Sequence, residues 1–206
     1  MTTDRKTHWN AVYGAKTEAE LSWHQDEPTA SLELIETAGI TPASSVIDVG
    51  GGTSCLVDSL VARGFRDVTV LDLSQVALDK VRDRLGGAGE TVTFIASDIT
   101  SRVTDRRYDL WHDRAVFHFL VDAPERAAYL DSLARALDIG GHAVIATFAA
   151  DGPETCSGLP VARYSPEDLA AVLGDRFELV AHRHQLHQTP WGKGQSFQFS
   201  LFRRTR

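Results

Sequence analysis

Three acidic residues, each closing or following an apolar run, are the positions at which this chain can do chemistry. Asp48 lies in Val46-Ile-Asp-Val49 and is followed by Gly50, Gly51 and Gly52. Asp72 ends the run Val68-Thr-Val-Leu71, twenty residues after Gly52, and Asp98 follows the run Thr91 to Ala96. Glycine has no Cβ, so a strand-to-helix bend of three glycines lets the backbone lie closer to a ligand than any other residue type permits. An acid at the tip of the next strand can accept two hydrogen bonds from the hydroxyls of a ribose. Together the two features imply a nucleoside ligand. A dinucleotide fingerprint, G-x-G-x-x-G, needs its third glycine at position 55, where Cys55 stands, so the pyrophosphate pattern fails.

A second group of reactive side chains lies in Trp111-His-Asp-Arg-Ala-Val-Phe-His-Phe119. His118 reads as a general base or as a helix residue bonded locally, and His112 and His24 are the other candidate bases. Arg114 is a candidate substrate contact, and so is Trp191 in the late turn Thr189-Pro-Trp-Gly-Lys-Gly194. His182 and His184 share a strand face, which permits a metal pair, but no Cys or acid is placed to complete a site and no metal is expected. Cys55 and Cys156 are far apart and in no C-x-x-C arrangement.

The elements that must position these residues alternate. Leu56, Val57, Leu60 and Val61 form a helical stripe stopped by Gly64, and Ser74 caps a helix through Leu78, Val81 and Leu85. Strands are expected at Thr91 to Ala96, Tyr108 to His112 and His142 to Phe148. Between the last two, Asp122 and Glu125 suggest a capping box for a helix that Gly140-Gly141 terminates. Ser165-Pro-Glu-Asp168 starts another helix, ending at Gly174. Phe177 to His187 and Ser196 to Arg203 then read as a hairpin.

The segment Asp48-x-Gly50-x-Gly52-x-Ser54 resembles motif I, D/E-x-G-x-G-x-G, of the class I S-adenosylmethionine-dependent methyltransferases, with Ser54 where the last glycine is usual. Five β/α units followed by a hairpin match that family's fold, a three-layer Rossmann-like α/β architecture whose seven-stranded, mostly parallel sheet has an antiparallel last strand. The resemblance implies S-adenosylmethionine as cofactor. Asp48, Gly50 and Gly52 would hold its methionyl part, Asp72 and Leu73 its ribose, and Asp98 and Ile99 its adenine, with Asp113 beside the transferable methyl. The polar run His112-Asp113-Arg114 stands where protein-lysine and nucleic-acid branches carry other sequences, so neither acceptor class carries over. The stretch from Trp9 and Tyr13 to Ser22-Trp-His-Gln25 looks like the N-terminal lid of small bacterial members, and faintly like the enzymes that methylate lysines of citrate synthase or elongation factor 1A. In that reading Tyr13, Trp23 and His24 close over the cofactor; the alternative is a helix packed on the sheet.

With 206 residues, 43% apolar and 24% charged, the chain is expected to be one globular domain, residues 1–40 forming a lid and 44–206 the α/β core. Its net charge of −7 repels polyanions, so nucleic acid is not an expected partner. No signal segment or membrane-length apolar run appears, which predicts a cytoplasmic protein. The expectation is therefore methyl transfer to an N, O or S atom of a small molecule, with a protein lysine or mere nucleoside binding as alternatives. The oligomeric state is not legible.

Overall fold

The computed structural model describes residues 2–101 and 106–206. Seven strands form one sheet: β1 (Val46–Val49), β2 (Val68–Asp72), β3 (Val92–Ala96), β4 (Tyr108–Arg114), β5 (Leu137–Phe148), β6 (Phe177–Gln188) and β7 (Gly194–Arg204). Their order across the sheet is β3-β2-β1-β4-β5-β7-β6, with β7 antiparallel to both neighbours and the other pairs parallel. The connections reverse direction between β1 and β4. A crevice opens at such a point beyond the carboxyl ends of the strands.

Among the described residues six α-helices accompany the sheet: α1 (Thr2–Ala15), α2 (Thr29–Thr37), α3 (Leu56–Ala62), α4 (Gln75–Leu85), α5 (Ala123–Ala136) and α6 (Pro166–Leu173). Side chains alternate along a strand, so each buried strand supplies two cores. Val46, Val70, Leu110 and Val144 pack with Leu34, Leu60 and Leu78 of α2, α3 and α4. Ile47, Leu71, Trp111 and Ile145 pack on the other face with Tyr129, Leu133 and Leu169 of α5 and α6. Ser74 and Ser165 cap α4 and α6 as their sequences indicate.

Two local expectations are corrected. Asp122 makes no side-chain cap on α5, and Glu125, the other half of the expected capping box, pairs with Arg5 of α1 at 2.9 Å. Nor do Gly140 and Gly141 end that helix. It gives way to β5 at Leu137, and the two glycines lie in the strand's irregular beginning, where the register against β4 shifts between Tyr108 and Leu110.

Candidate functional site

The bend after β1 is held by two backbone N–H groups, those of Gly50 and Gly51, which donate to the Leu71 carbonyl at 2.6 and 3.2 Å. Gly50 and Gly52 adopt φ of +66° and +50°, the left-handed region that side chains disfavour. Space excludes a side chain as well. A Cβ on Gly50 would lie 1.9 Å from Val116 Cγ2, and one on Gly52 would lie 2.2 Å from the Tyr13 hydroxyl. The glycines thus bring the bend against β4's following turn on one side and against α1 on the other.

Beneath the bend, Asp48 is buried. Its Oδ1 accepts from His112 Nδ1 at 2.7 Å, and His112 Nε2 meets the Ser31 hydroxyl of α2 at 2.8 Å. Asp48 Oδ2 has no hydrogen-bond partner. A buried carboxylate oxygen left bare is unfavourable, and a cationic ligand group would relieve it. Asp72, at the end of β2, accepts from Ser74 N–H at 2.7 Å, and the Gly52 and Leu73 amides also face it. Burial nevertheless pushes its carboxyl up to about 6. Asp98 folds its own loop, accepting from the Thr100 amide and hydroxyl at 2.9 and 2.7 Å.

One cavity joins these acids. Asp48, Gly50, Asp72, Leu73, Asp98, Ile99, His112 and Arg114 line it, and Trp9, Tyr13 and Trp23 cover it from the N-terminal segment. It encloses about 1040 Å³, solvent at its mouth included. The cover is packed rather than loose. Trp9 and Tyr13 both meet Trp23 edge-on at 5.9 Å between centroids, and Trp9 meets Phe119 at 5.2 Å. Lys80 Nζ donates to the Tyr13 and Lys16 carbonyls, and His187 Nε2 donates to the Ser22 carbonyl at 2.7 Å.

Comparison with known proteins bears on this arrangement. Residues 46–141 match the family model of a methyltransferase domain. Among curated relatives, malonyl-[acyl-carrier protein] O-methyltransferase 2 of Ilyobacter polytropus is 26% identical over 193 residues, 88% of this chain and 72% of that protein. A second Ilyobacter enzyme, malonyl-[acyl-carrier protein] O-methyltransferase 1, is matched over 52% of its length. A solved structure from work on the conversion of a disulfide bond into a thioacetal group in echinomycin biosynthesis superposes with a TM-score of 0.76 and 22% identity, over 97% of this chain and 93% of that one. The Burkholderia thailandensis 1,6-didemethyltoxoflavin-N1-methyltransferase, solved with its substrate and S-adenosylhomocysteine, superposes at 0.72 with 21% identity, over 100% and 87%. At such identities the two structures speak for the fold alone.

Residues 46–141 match a methyltransferase domain, and the fold is that of the class I S-adenosylmethionine-dependent methyltransferases. The cofactor is S-adenosylmethionine, and the residues at the bend fit that molecule. The bare Asp48 oxygen faces the kind of space an ammonium group needs, the glycines keep that space clear, and Asp72 offers a ribose acceptor. In this methyltransferase the half of the cavity beyond Asp48, away from Asp72, is lined by Arg114, Cys156, Gln195 and Phe197. Sequence reading missed Gln195 and Phe197. Their signal was topological, since an antiparallel last strand begins at the end where its parallel neighbours finish.

Several expected site residues lie elsewhere. Asp113 is fully buried but points to the α5 face, because it alternates with His112 along β4; it accepts from Tyr129 Oη at 2.6 Å and from the Val116 and Phe117 amides, and does not line the cavity. His118 is buried between Phe119 and Phe148, accepts from the Phe148 amide through Nδ1, and does not line the cavity either. Burial lowers its basicity to about 3, so it is neutral and a poor proton acceptor near pH 7. His24 pairs with exposed Asp26 outside the cavity, and Trp191 is 59% exposed at the hairpin tip. His184 bonds Ser196. Among the described residues no helix is long and apolar enough to cross a membrane.

Proposed function

We propose that this methyltransferase moves the methyl of S-adenosylmethionine to a small-molecule acceptor held in the Arg114, Gln195 and Phe197 half of the cavity, with Tyr13 and Trp23 closing the site as a lid. The observation that carries this reading is the cover: Trp9, Tyr13 and Trp23 pack as one aromatic cluster over the cavity, an enclosure that favours a compact acceptor. Malonyl-[acyl-carrier protein] O-methyltransferase 2 is named for a malonyl group borne on a carrier protein, a compact reacting group that agrees with this reading without fixing the acceptor.

The bound cofactor supplies an activated methyl on a sulfonium, so the chain's own task is alignment and exclusion of water. Asp48, fixed by His112 and Ser31, holds the amino-acid end; Asp72 holds the ribose and Asp98 the adenine side. Phe119, Trp9 and Trp23 keep water from the reacting atoms. Both ring nitrogens of His112 are engaged, and His118 is enclosed away from the cavity, so no histidine is poised as a base. The reading therefore favours an acceptor atom that is already nucleophilic near neutral pH. Calorimetry against S-adenosylhomocysteine and NAD, followed by methyl-label transfer to a panel of thiols, phenols, amines and carboxylic acids, tests it. Labelling only of macromolecules in a cell extract, with every small acceptor inert, would overturn it.

A further inference from the structure

Arg114 differs from the other cation at the cavity wall. Arg5 is paired with Glu125 at 2.9 Å, whereas no carboxylate of the described residues lies within ion-pair distance of Arg114. Its Nη2 donates to the Trp23 carbonyl at 2.7 Å, and its Nε is buried with no hydrogen-bond partner. Phe197 lies under the guanidinium at 5.6 Å. Asp48 is the strongest negative influence on it, but the two side chains make no ion pair. Desolvation lowers the guanidinium to about 10, so it remains charged at neutral pH. A half-buried cation whose hydrogen bond goes to one neutral carbonyl is an incomplete pair, and such a group is normally matched by an anion.

Its place in the sheet says which anion. Asp72 and Asp98 stand over β2 and β3, on one side of the glycine bend; Arg114 stands at the end of β4 on the other side, towards β5 and then β7. Gln195, two residues before Phe197 and on the same face of β7, adds an amide to that half. We propose that Arg114 receives a carboxylate of the methyl acceptor, so that the substrates of this enzyme are small organic acids docked by their charge against the Phe197 and Trp23 walls. The planar fork of arginine matches a carboxylate, and a cationic sulfonium nearby draws the same partner. This rests on the reading that the cofactor fills the β1 to β3 half.

The cofactor's amino-acid end carries a carboxylate too, and the test separates the two sources. Binding of benzoate, cinnamate and indole-3-acetate, and of the amide of each, to the complex with S-adenosylhomocysteine is measured by calorimetry. At least one acid is expected to bind about tenfold or more tightly than its amide, and Arg114→Gln to abolish that preference. In the same variant the affinity ratio of S-adenosylhomocysteine to 5′-methylthioadenosine, which lacks the carboxylate, is expected to stay within about threefold of wild type. Should Arg114→Gln fail to fold, Arg114→Lys is read instead, with an expected acid affinity about tenfold weaker. Equal binding of acids and amides, no binding of any acid, or collapse of the cofactor ratio would overturn the proposal. Failure of S-adenosylhomocysteine to bind wild type would sink the underlying reading instead.

Discussion

At the scale of single residues, burial decides what each ionisable group can do. The Asp72 carboxyl, pushed up to about 6 by desolvation, would have to be ionised to accept both hydroxyls of a ribose, as proposed. Lowering the pH through that value adds a proton that binding must expel, so affinity is lost on the acid side and constant above it. Calorimetric titration of S-adenosylhomocysteine between about pH 5 and 8 is expected to show affinity falling up to about tenfold per unit below pH 6. Asp72→Asn is expected to bind at least about tenfold more weakly and without that slope. Asp113→Ala behaves otherwise. It leaves the Tyr129 hydroxyl and two amides unmatched beneath the sheet, so thermal or urea unfolding is expected to register a loss of about 2–4 kcal/mol. The strand-end acids were legible in the sequence because glycines and apolar runs frame them. The divergence of His112 from Asp113 required knowing that both belong to a strand buried on two sides, where neighbours point to opposite cores.

Among the elements, the junction of the glycine bend with α1 is the most exacting. Gly52→Ala would force a left-handed alanine, at about 1–2 kcal/mol, and drive its Cβ into the Tyr13 hydroxyl. Cofactor affinity is expected to drop about tenfold or more, with part recovered by adding Tyr13→Phe, since the hydroxyl is the nearest atom at 2.2 Å and the ring carbon behind it stands at 3.0 Å. Partial recovery in the double variant is the decisive measurement; none would place the damage in the backbone alone. Strand and helix identities were readable from period and caps. The failed capping box at Asp122 was not, because its Glu125 is taken by an arginine 120 residues earlier in the chain, a pairing no local window contains. Ser31 was hidden similarly, since a serine within a helix looks like a solvated face until His112 is brought to it.

At the scale of the whole molecule, the N-terminal segment and the sheet act as one enclosure. The expectation is that S-adenosylhomocysteine slows proteolysis between residues 10 and 28, as mass spectrometry of the fragments would record. Unchanged cleavage there would mean that the cover does not respond to the ligand. His118→Asn, in contrast, is expected to lower thermal stability and leave the methylation rate per folded molecule within about threefold, because that ring is enclosed by Phe119 and Phe148. The grip on the cover has a further consequence. Arg114 and His187 seize Trp23 and Ser22 by their main-chain oxygens, which every amino acid possesses. Descendants of this gene could therefore exchange the side chains of that stretch, and with them the taste for one metabolite or another, while the latch itself went on fastening as before.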